Sequence, residues 1–495
     1  MKMHTRIAAC ALTIVFCAGC VGPDPMNSME PLPSIPGKKY TPPSRPERSG
    51  PGKLPDAPKS KEPLSLSQCM SIAIHNNSEC QIALRRARAA GARVGQALSR
   101  YWPQIDFSAT SQRIQSQVLT EVDARFLRST HRMRVQASQT LYEGGAREAS
   151  LKAARAGRRA SGHRYSGVLQ KVALETAVAY FRLLAAQSRL EVAQDTVKQR
   201  DRHLQLAQKK VEAGLGRPVE VHKARARKAN AKLTLTEQKS AVRQRSGELA
   251  SAMAVPVNST LNIQDVGVHE TRETQLKIEE LLEEAAANRP QLQTAISQVR
   301  QARKQVEVQE ARRWPTLNLN TSYGGKDTHL LPEEREEWTV SLGLSLPLFT
   351  GFQNTYRISE ARETLHRKIA SYEDQLTSVK LEVWKRYSAM LRAEESITAA
   401  EQFLQSARES LKATESHYRE GYASIVELID AQTTLTKARN RKVKARLSWH
   451  LAMARLRRAV GKRWPDPDKL GKLATESSTE SKKGPSNSGS GNSGQ

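Results

Sequence analysis

The chain has 495 residues, a formal net charge of +28, a mean hydropathy of −0.59 and only 5% aromatic residues. Ala, Gln, Arg, Lys, Glu and Leu dominate its interior, the mixture of long helices lying side by side, which argues against conventional compact domains. The charge raises nucleic acid as a partner, but the basic clusters at Arg85, Arg86 and Arg88, at Arg155, Arg158 and Arg159, and at Lys223, Arg225, Arg227 and Lys228 lie in helical patterns without the aromatics on which single strands stack. They read as solvated helix faces, and no nucleic acid is expected.

At the N-terminus a short basic stretch, Met1–Arg6, precedes an apolar run, Ile7–Phe16, and then Cys17-Ala18-Gly19-Cys20. Ten or so apolar residues are too few to span a bilayer, so residues 1–19 read as a signal peptide. Its last four residues resemble a bacterial lipobox, with Cys17 where a Leu is usual; the resemblance implies lipidation at Cys20, and Val21 after it implies delivery to the outer membrane. Residues 20–63 are rich in Pro, Gly, Ser and Lys and are expected to be extended. No other stretch suits a transmembrane helix. Cys69 and Cys80 lie eleven residues apart, about 16 Å along a helix and too far for a disulfide, so free thiols are expected.

Ser67 is expected to cap a short helix ending near Asn76 and Asn77, followed by a helix from Glu79 to Ser99 that Trp102-Pro103 closes. Ile105 to Thr110 alternates apolar and polar residues, the mark of a strand with two different faces, and Val135 to Leu141 is its partner. Gly144 and Gly145 end the strands. From Ala146 to Ala213 there is no proline, and Leu174, Ala177, Val178, Phe181, Leu184 and Ala185 keep helical spacing; such a rod is about 100 Å long. It stops at Ala213-Gly214-Leu215-Gly216-Arg217-Pro218 and returns as a helix to about Ala254.

The same order then recurs. Asn76, Arg88, Val94, Arg100, Trp102 and Pro103 meet Asn288, Arg300, Val306, Arg312, Trp314 and Pro315, each 212 residues on. After the loop between the strands the offset becomes 207, and Tyr165, Tyr180, Gly214, Val219 and Glu220 meet Tyr372, Tyr387, Gly421, Val426 and Glu427. Leu317 to Asn320 and the period-two row Val340, Leu342, Leu344, Leu346 and Leu348 are the second pair of strands. A rod from Thr355 to Glu420 and a return helix to Ala459 complete the repeat. A period this long is a duplicated half-protein, not a solenoid. The expected organisation is a first repeat at 64–260, a linker at 261–275, a second repeat at 276–464 and a polar tail at 465–495 whose composition suits disorder.

Two hairpins cannot bury their own apolar faces, and strands in lipid must close or leave edge groups unsatisfied. Three copies supply twelve strands, an even number within the usual range. The expected fold is therefore a mixed α/β membrane protein, mainly α: a trimeric twelve-stranded transmembrane β-barrel continued by a long periplasmic α-helical barrel.

This chain resembles the TolC-type outer-membrane factors, in the lipoprotein branch that serves multidrug and metal efflux. Cys20-Val21-Gly22-Pro23-Asp24-Pro25 is similar to that branch's N-terminus, though one residue shorter and with Pro25 for an aromatic. Trp102-Pro103 and Trp314-Pro315 match its helix-to-strand junctions, Leu348-Phe349-Thr350-Gly351-Phe352 its strand-to-helix junction, and Glu427-Leu428-Ile429-Asp430-Ala431-Gln432 its signature after the periplasmic tip. The resemblance covers residues 64–464. It implies a homotrimeric exit duct, lipid-anchored in the outer membrane and reaching into the periplasm. Its partners are outer-membrane lipid, a periplasmic adaptor and an inner-membrane transporter that supplies the energy.

By the same resemblance, Val426, Glu427 and Asp430 form the periplasmic gate, Tyr418 and Glu220 take gate-linking positions, and Gly214, Leu215, Gly421 and Tyr422 are tips that dock the adaptor. Ala423 stands where some members place a linking Arg. A threefold carboxylate ring holds cations and answers to protonation; equally, Glu427 and Asp430 are acids that a helix start favours, and glycine at the tips is a turn former. No catalytic constellation, metal spacing or phosphate loop is present, so neither an enzyme nor a cofactor is expected. Two alternatives stand beside the efflux duct: an exit duct for type I protein secretion, and a basic periplasmic coiled-coil scaffold or nucleic-acid-binding rod, which has no use for alternating strands.

Overall fold

The computed structural model describes residues 63–118, 124–214, 216–259, 261–265, 277–328 and 331–462. The signal peptide, Cys20, the extension up to residue 62, Leu215, most of the linker and the polar tail lie outside the described residues. Helices α1 (Leu66–Asn76) and α2 (Ser78–Ser99) lead into strands β1 (Gln104–Val118) and β2 (Ala124–Glu143), then α3 (Ala146–Glu212) and α4 (Pro218–Ala252). The second half repeats the order with α5 (Ile278–Asn288), α6 (Pro290–Ala311), β3 (Thr316–Thr328), β4 (Leu331–Ser345), α7 (Gln353–Glu420) and α8 (Ile425–Val460). The duplication is metrical: 11, 22, 67 and 35 residues in α1 to α4 answer 11, 22, 68 and 36 in α5 to α8. Among the described residues no helix is long and apolar enough to cross a membrane.

The first cap differs from expectation. Ser65, not Ser67, opens α1: its hydroxyl accepts from the Gln68 backbone and the Gln68 side chain returns the bond, a complete capping box. Strand β4 ends at Ser345, so Leu346 and Leu348 lie beyond it; Pro347 between them has no N–H to give a ladder.

Two compact units make up the chain. One comprises Arg85–His163 and Gln293–Gln375 and holds the sheet. Its four antiparallel strands run in chain order, β1-β2-β3-β4. The register divides the faces cleanly. Phe107 pairs with Val135, Val135 with Tyr323, and Tyr323 with Trp338; Leu319 pairs with Leu342 and Leu317 with Leu344. One residue along, on the opposite face, Asp106, Gln136, Ser322 and Thr339 form one row, and Gln104, Ser138, Asn320 and Ser341 the next. The apolar row is uncovered: Phe107, Trp338, Val340, Leu342 and Leu344 are all more than 60% exposed.

Below the sheet the helices of this unit pack on small side chains, with Ala87, Ala90, Ala149, Ala156, Ala160, Ala295 and Ala302 buried. Both strand-to-helix junctions turn through two successive left-handed residues, Gly144 and Gly145 in the first half and Gly351 and Phe352 in the second. Gly144 also admits no side chain, since a Cβ there meets Trp314 Cβ at 2.5 Å. That contact ties the first junction to Trp314 of the second half. Trp102 and Trp314 themselves stay exposed, beside Pro103 and Pro315 at the feet of β1 and β3.

The other unit holds the described residues up to Leu84, Arg164–Leu292 and the chain from Leu376. Its core gathers Cys69, Ala73, Cys80, Val172, Tyr180, Phe181, Leu183, Leu249, Met253 and Val255. Leu64 and Ile263 form a parallel bridge there, so Leu261 and Ile263, in the segment expected to be a linker, are buried in it. Tyr180 fastens the bridge by donating to the Gln264 carbonyl at 2.5 Å. Cys69 and Cys80 are free and buried, and burial pushes both thiols up to about 12, which leaves them unreactive. In the second half Arg289, also buried, donates to the Ala459 carbonyl at 3.1 Å and pairs with Glu382.

Candidate functional site

Each pair of long helices ends in a tight turn, and both turns lie in the second unit. Gly214 has φ 72 and Gly421 φ 90, values that favour glycine, and open space surrounds a Cβ at either. After Gly421 the Tyr422 and Ala423 amides both donate to the His417 carbonyl, closing α7, while Tyr422 itself is 84% exposed. Pro218 opens α4 at its first turn, where its missing N–H costs nothing.

Helix α8 opens with Ser424, whose hydroxyl accepts from the Glu427 amide at 3.2 Å and donates to the Glu427 carboxylate at 2.8 Å. Glu427 thus completes a helix start, as a first-turn acid does. Asp430 is different. It lies one turn deeper, where the helix dipole has faded, and it makes no hydrogen bond or ion pair with a described residue. Val426, Glu427 and Asp430 are all exposed, while Leu428, Ile429 and Leu435 turn inward. The three candidate gate residues therefore share the outward side of α8.

Tyr418 is buried among Leu404, Leu411, Leu428 and Leu435. Lys210 of α3 sits over its ring at 3.9 Å and reaches its carbonyl at 3.5 Å, joining the tip of α7 to that of α3. Burial raises the Tyr418 phenol above its ordinary value, and the nearby Glu220 charge adds to the effect. Lys210 is thus the residue the structure places against Tyr418, one that the sequence did not single out.

A second tie was also missed. Gln432, the last residue of the signature stretch, is buried between α8 and α3. Its carbonyl oxygen accepts from Arg200 at 2.6 Å, and its amide contacts the His203 ring. Arg200 also reaches the Thr433 hydroxyl at 3.4 Å. Burial, with Arg200 adjacent, holds His203 below its ordinary pKa, so at neutral pH it is an uncharged partner for the amide. The ion pair Arg439–Asp195 at 3.6 Å braces the same two helices further along, and Lys442–Glu401 at 3.0 Å braces α8 to α7. Among the described residues no cluster of His, Cys, Asp or Glu could hold a metal ion.

Comparison with known proteins fits this architecture. The Outer membrane efflux protein family matches the chain over residues 69–255 and 281–462, the two halves of the duplication. Protein CyaE of Bordetella pertussis is 25% identical over 384 residues, 77% of this chain and 80% of that one. Outer membrane protein TolC of Vibrio cholerae is 27% identical over 340 residues, 66% of this chain and 75% of its own length. The crystal structure of CusC superposes with a TM-score of 0.70 at 16% identity, over 85% of this chain and 99% of that one. The chain belongs to the outer membrane efflux protein family and is a TolC-like exit channel of the outer membrane.

Proposed function

We propose that three copies of this chain close one twelve-stranded barrel in the outer membrane and continue it as a helical duct into the periplasm. The observation that carries this reading is the uncovered two-faced sheet. Its apolar rows need lipid, its polar rows need water, and the outer edges of β1 and β4 need partners. Closure between copies meets all three needs. The two repeats, 64–260 and 276–464, supply two strands and two long helices each, and lipidation at Cys20 anchors the trimer. The duct is passive: an inner-membrane transporter delivers small molecules through a periplasmic adaptor that docks at Gly214, Leu215, Gly421 and Tyr422. The test is the native mass of protein extracted by detergent from outer membranes. A particle near three times 55.0 kDa is expected; a monomer absent from the outer membrane leaves the strands unclosed and ends the reading.

Val426, Glu427 and Asp430 form the gate in this reading, with Tyr418 and Glu220 as its links. Removing the carboxylates, Glu427→Ala with Asp430→Ala, is expected to raise single-channel conductance in planar bilayers. The fold tolerates the change, because Ser424 still accepts the amide at position 427 and only one side-chain cap contact is lost, about 1 kcal/mol or less. Conductance equal to that of the unaltered channel would remove these residues from the gate.

A further inference from the structure

Starting within one turn of Asp430, a groove of about 720 Å³ runs across α4, α3 and α8. Six cations line it: Arg189 and Arg200 from α3, Arg227 from α4, and Lys437, Arg441 and Lys444 from α8. No carboxylate lines it, and none of the six forms an ion pair with a described residue. Three nearby acids are engaged elsewhere: Asp201 of α3 with Lys228, Asp195 of α3 with Arg439, and Glu401 of α7 with Lys442. Arg200 is the sharpest case. It is half-buried, its partners Gln432 and Thr433 are neutral, and Arg227 stands near enough to act on it as a like charge. Placing like charges along one partly desolvated groove is unfavourable unless an anion compensates them.

We propose that this groove binds a soluble polyanion carrying two or more phosphate or carboxylate groups. Four of the six cations are arginines, whose forked donors match both oxyanions. The only apolar lining residues are Val192, Ala193 and Ala231, too little to seat an acyl chain, which favours a soluble ligand over an anionic lipid.

The groove also has a place relative to the tip. Asp430, Lys437 and Lys444 follow at seven-residue steps, which keeps them on one side of α8 with a drift of about 20° per step. Asp430 and Lys437 are about 10 Å apart along the axis. If Asp430 lines the duct, the groove opens into the duct just inside an acidic ring. That placement rests on the gate reading; the binding does not.

The test is calorimetric titration of pyrophosphate into the full chain in neutral detergent at low ionic strength, with dihexanoyl phosphatidylglycerol as a parallel ligand. Saturable pyrophosphate binding is expected, about tenfold or more weaker in Arg200→Gln with Arg227→Gln. Because Arg200 also holds Gln432, the exposed pair Lys437→Gln with Lys444→Gln is the second variant, expected to weaken binding in the same direction. No saturable binding overturns the proposal, as does binding indifferent to all four substitutions. Tighter binding of the phosphatidylglycerol that pyrophosphate does not displace overturns it too. A gate variant with unaltered conductance, alongside intact pyrophosphate binding, retires the gate and leaves the groove standing.

Discussion

Leu342→Arg is expected to remove the trimer from the outer membrane, while Ser341→Arg, one residue away, leaves assembly intact. Leu342 is 62% exposed and pairs with Leu319 in the middle of the apolar row; Ser341 points to the opposite face beside Asn320. In a closed barrel these positions lie at the same depth, one toward lipid and one toward water. Arginine facing lipid at mid-depth costs about 2–4 kcal/mol, and threefold symmetry imposes that cost three times. Such a total is comparable to the whole stability of an ordinary domain. On the polar face the same side chain finds water and costs little. Sucrose-gradient fractions of cell membranes, probed for the trimer, separate the two outcomes. Equal tolerance of both arginines would show that water covers both faces, and the barrel would have to be abandoned.

The long elements were legible because few signals compete along them. The absence of proline from Ala146 to Ala213, with Gly214 and Gly421 at the stops, set α3 and α7 to within two residues of their observed ends. Period-two alternation likewise revealed the strands and which of their faces is apolar. It overran at Leu346 and Leu348 because alternation alone does not register what Pro347 removes. The capping box was visible as Ser65 with Gln68 three residues on, yet Ser67 beside it competes for the same role and only the bond geometry decides.

The site was less legible, for a different reason. Glu427 and Asp430 could be found from a motif, but a motif does not distinguish a helix-start acid from a pore-lining one. In the structure Glu427 contacts Ser424, as a helix-start acid does, and Asp430 does not. Gln432 was in view as a letter of the signature, whereas its partners Arg200 and His203 lie 232 and 229 residues earlier. The groove was hidden in the same way. Its cations come from three helices, each of which reads alone as a solvated basic face, and only their convergence without acids makes a site.

His450 is expected to make the fold lose stability between pH 6.5 and about 4. Its ring is buried in the second unit, stacked on Phe181 at 4.5 Å between centroids with 9° between planes, and edge-on to Trp449 at 5.1 Å. Its Nε2 has no hydrogen-bond partner among the described residues. Burial, helped by Arg446 and opposed by Asp265, depresses its pKa from 6.5 to about 4. Above pH 6.5 the ring is neutral whether the chain is folded or unfolded, and nothing is lost. As the pH falls below 6.5 the unfolded chain takes up a proton that the folded chain refuses, and stability declines until the folded ring titrates near pH 4. The full loss is about 3 kcal/mol per chain, at about 1.4 kcal/mol for each pH unit. Replacing the residue by another flat ring, His450→Phe, keeps the stack on Phe181 and removes the titration. Denaturant midpoints of detergent-solubilised protein at pH 7 and pH 4.5 provide the comparison. The unaltered protein should lose about 2–3 kcal/mol more than the variant over that range. Parallel losses in the two proteins would mean that the carboxylates alone govern acid sensitivity, and that His450 already reaches water in the folded chain.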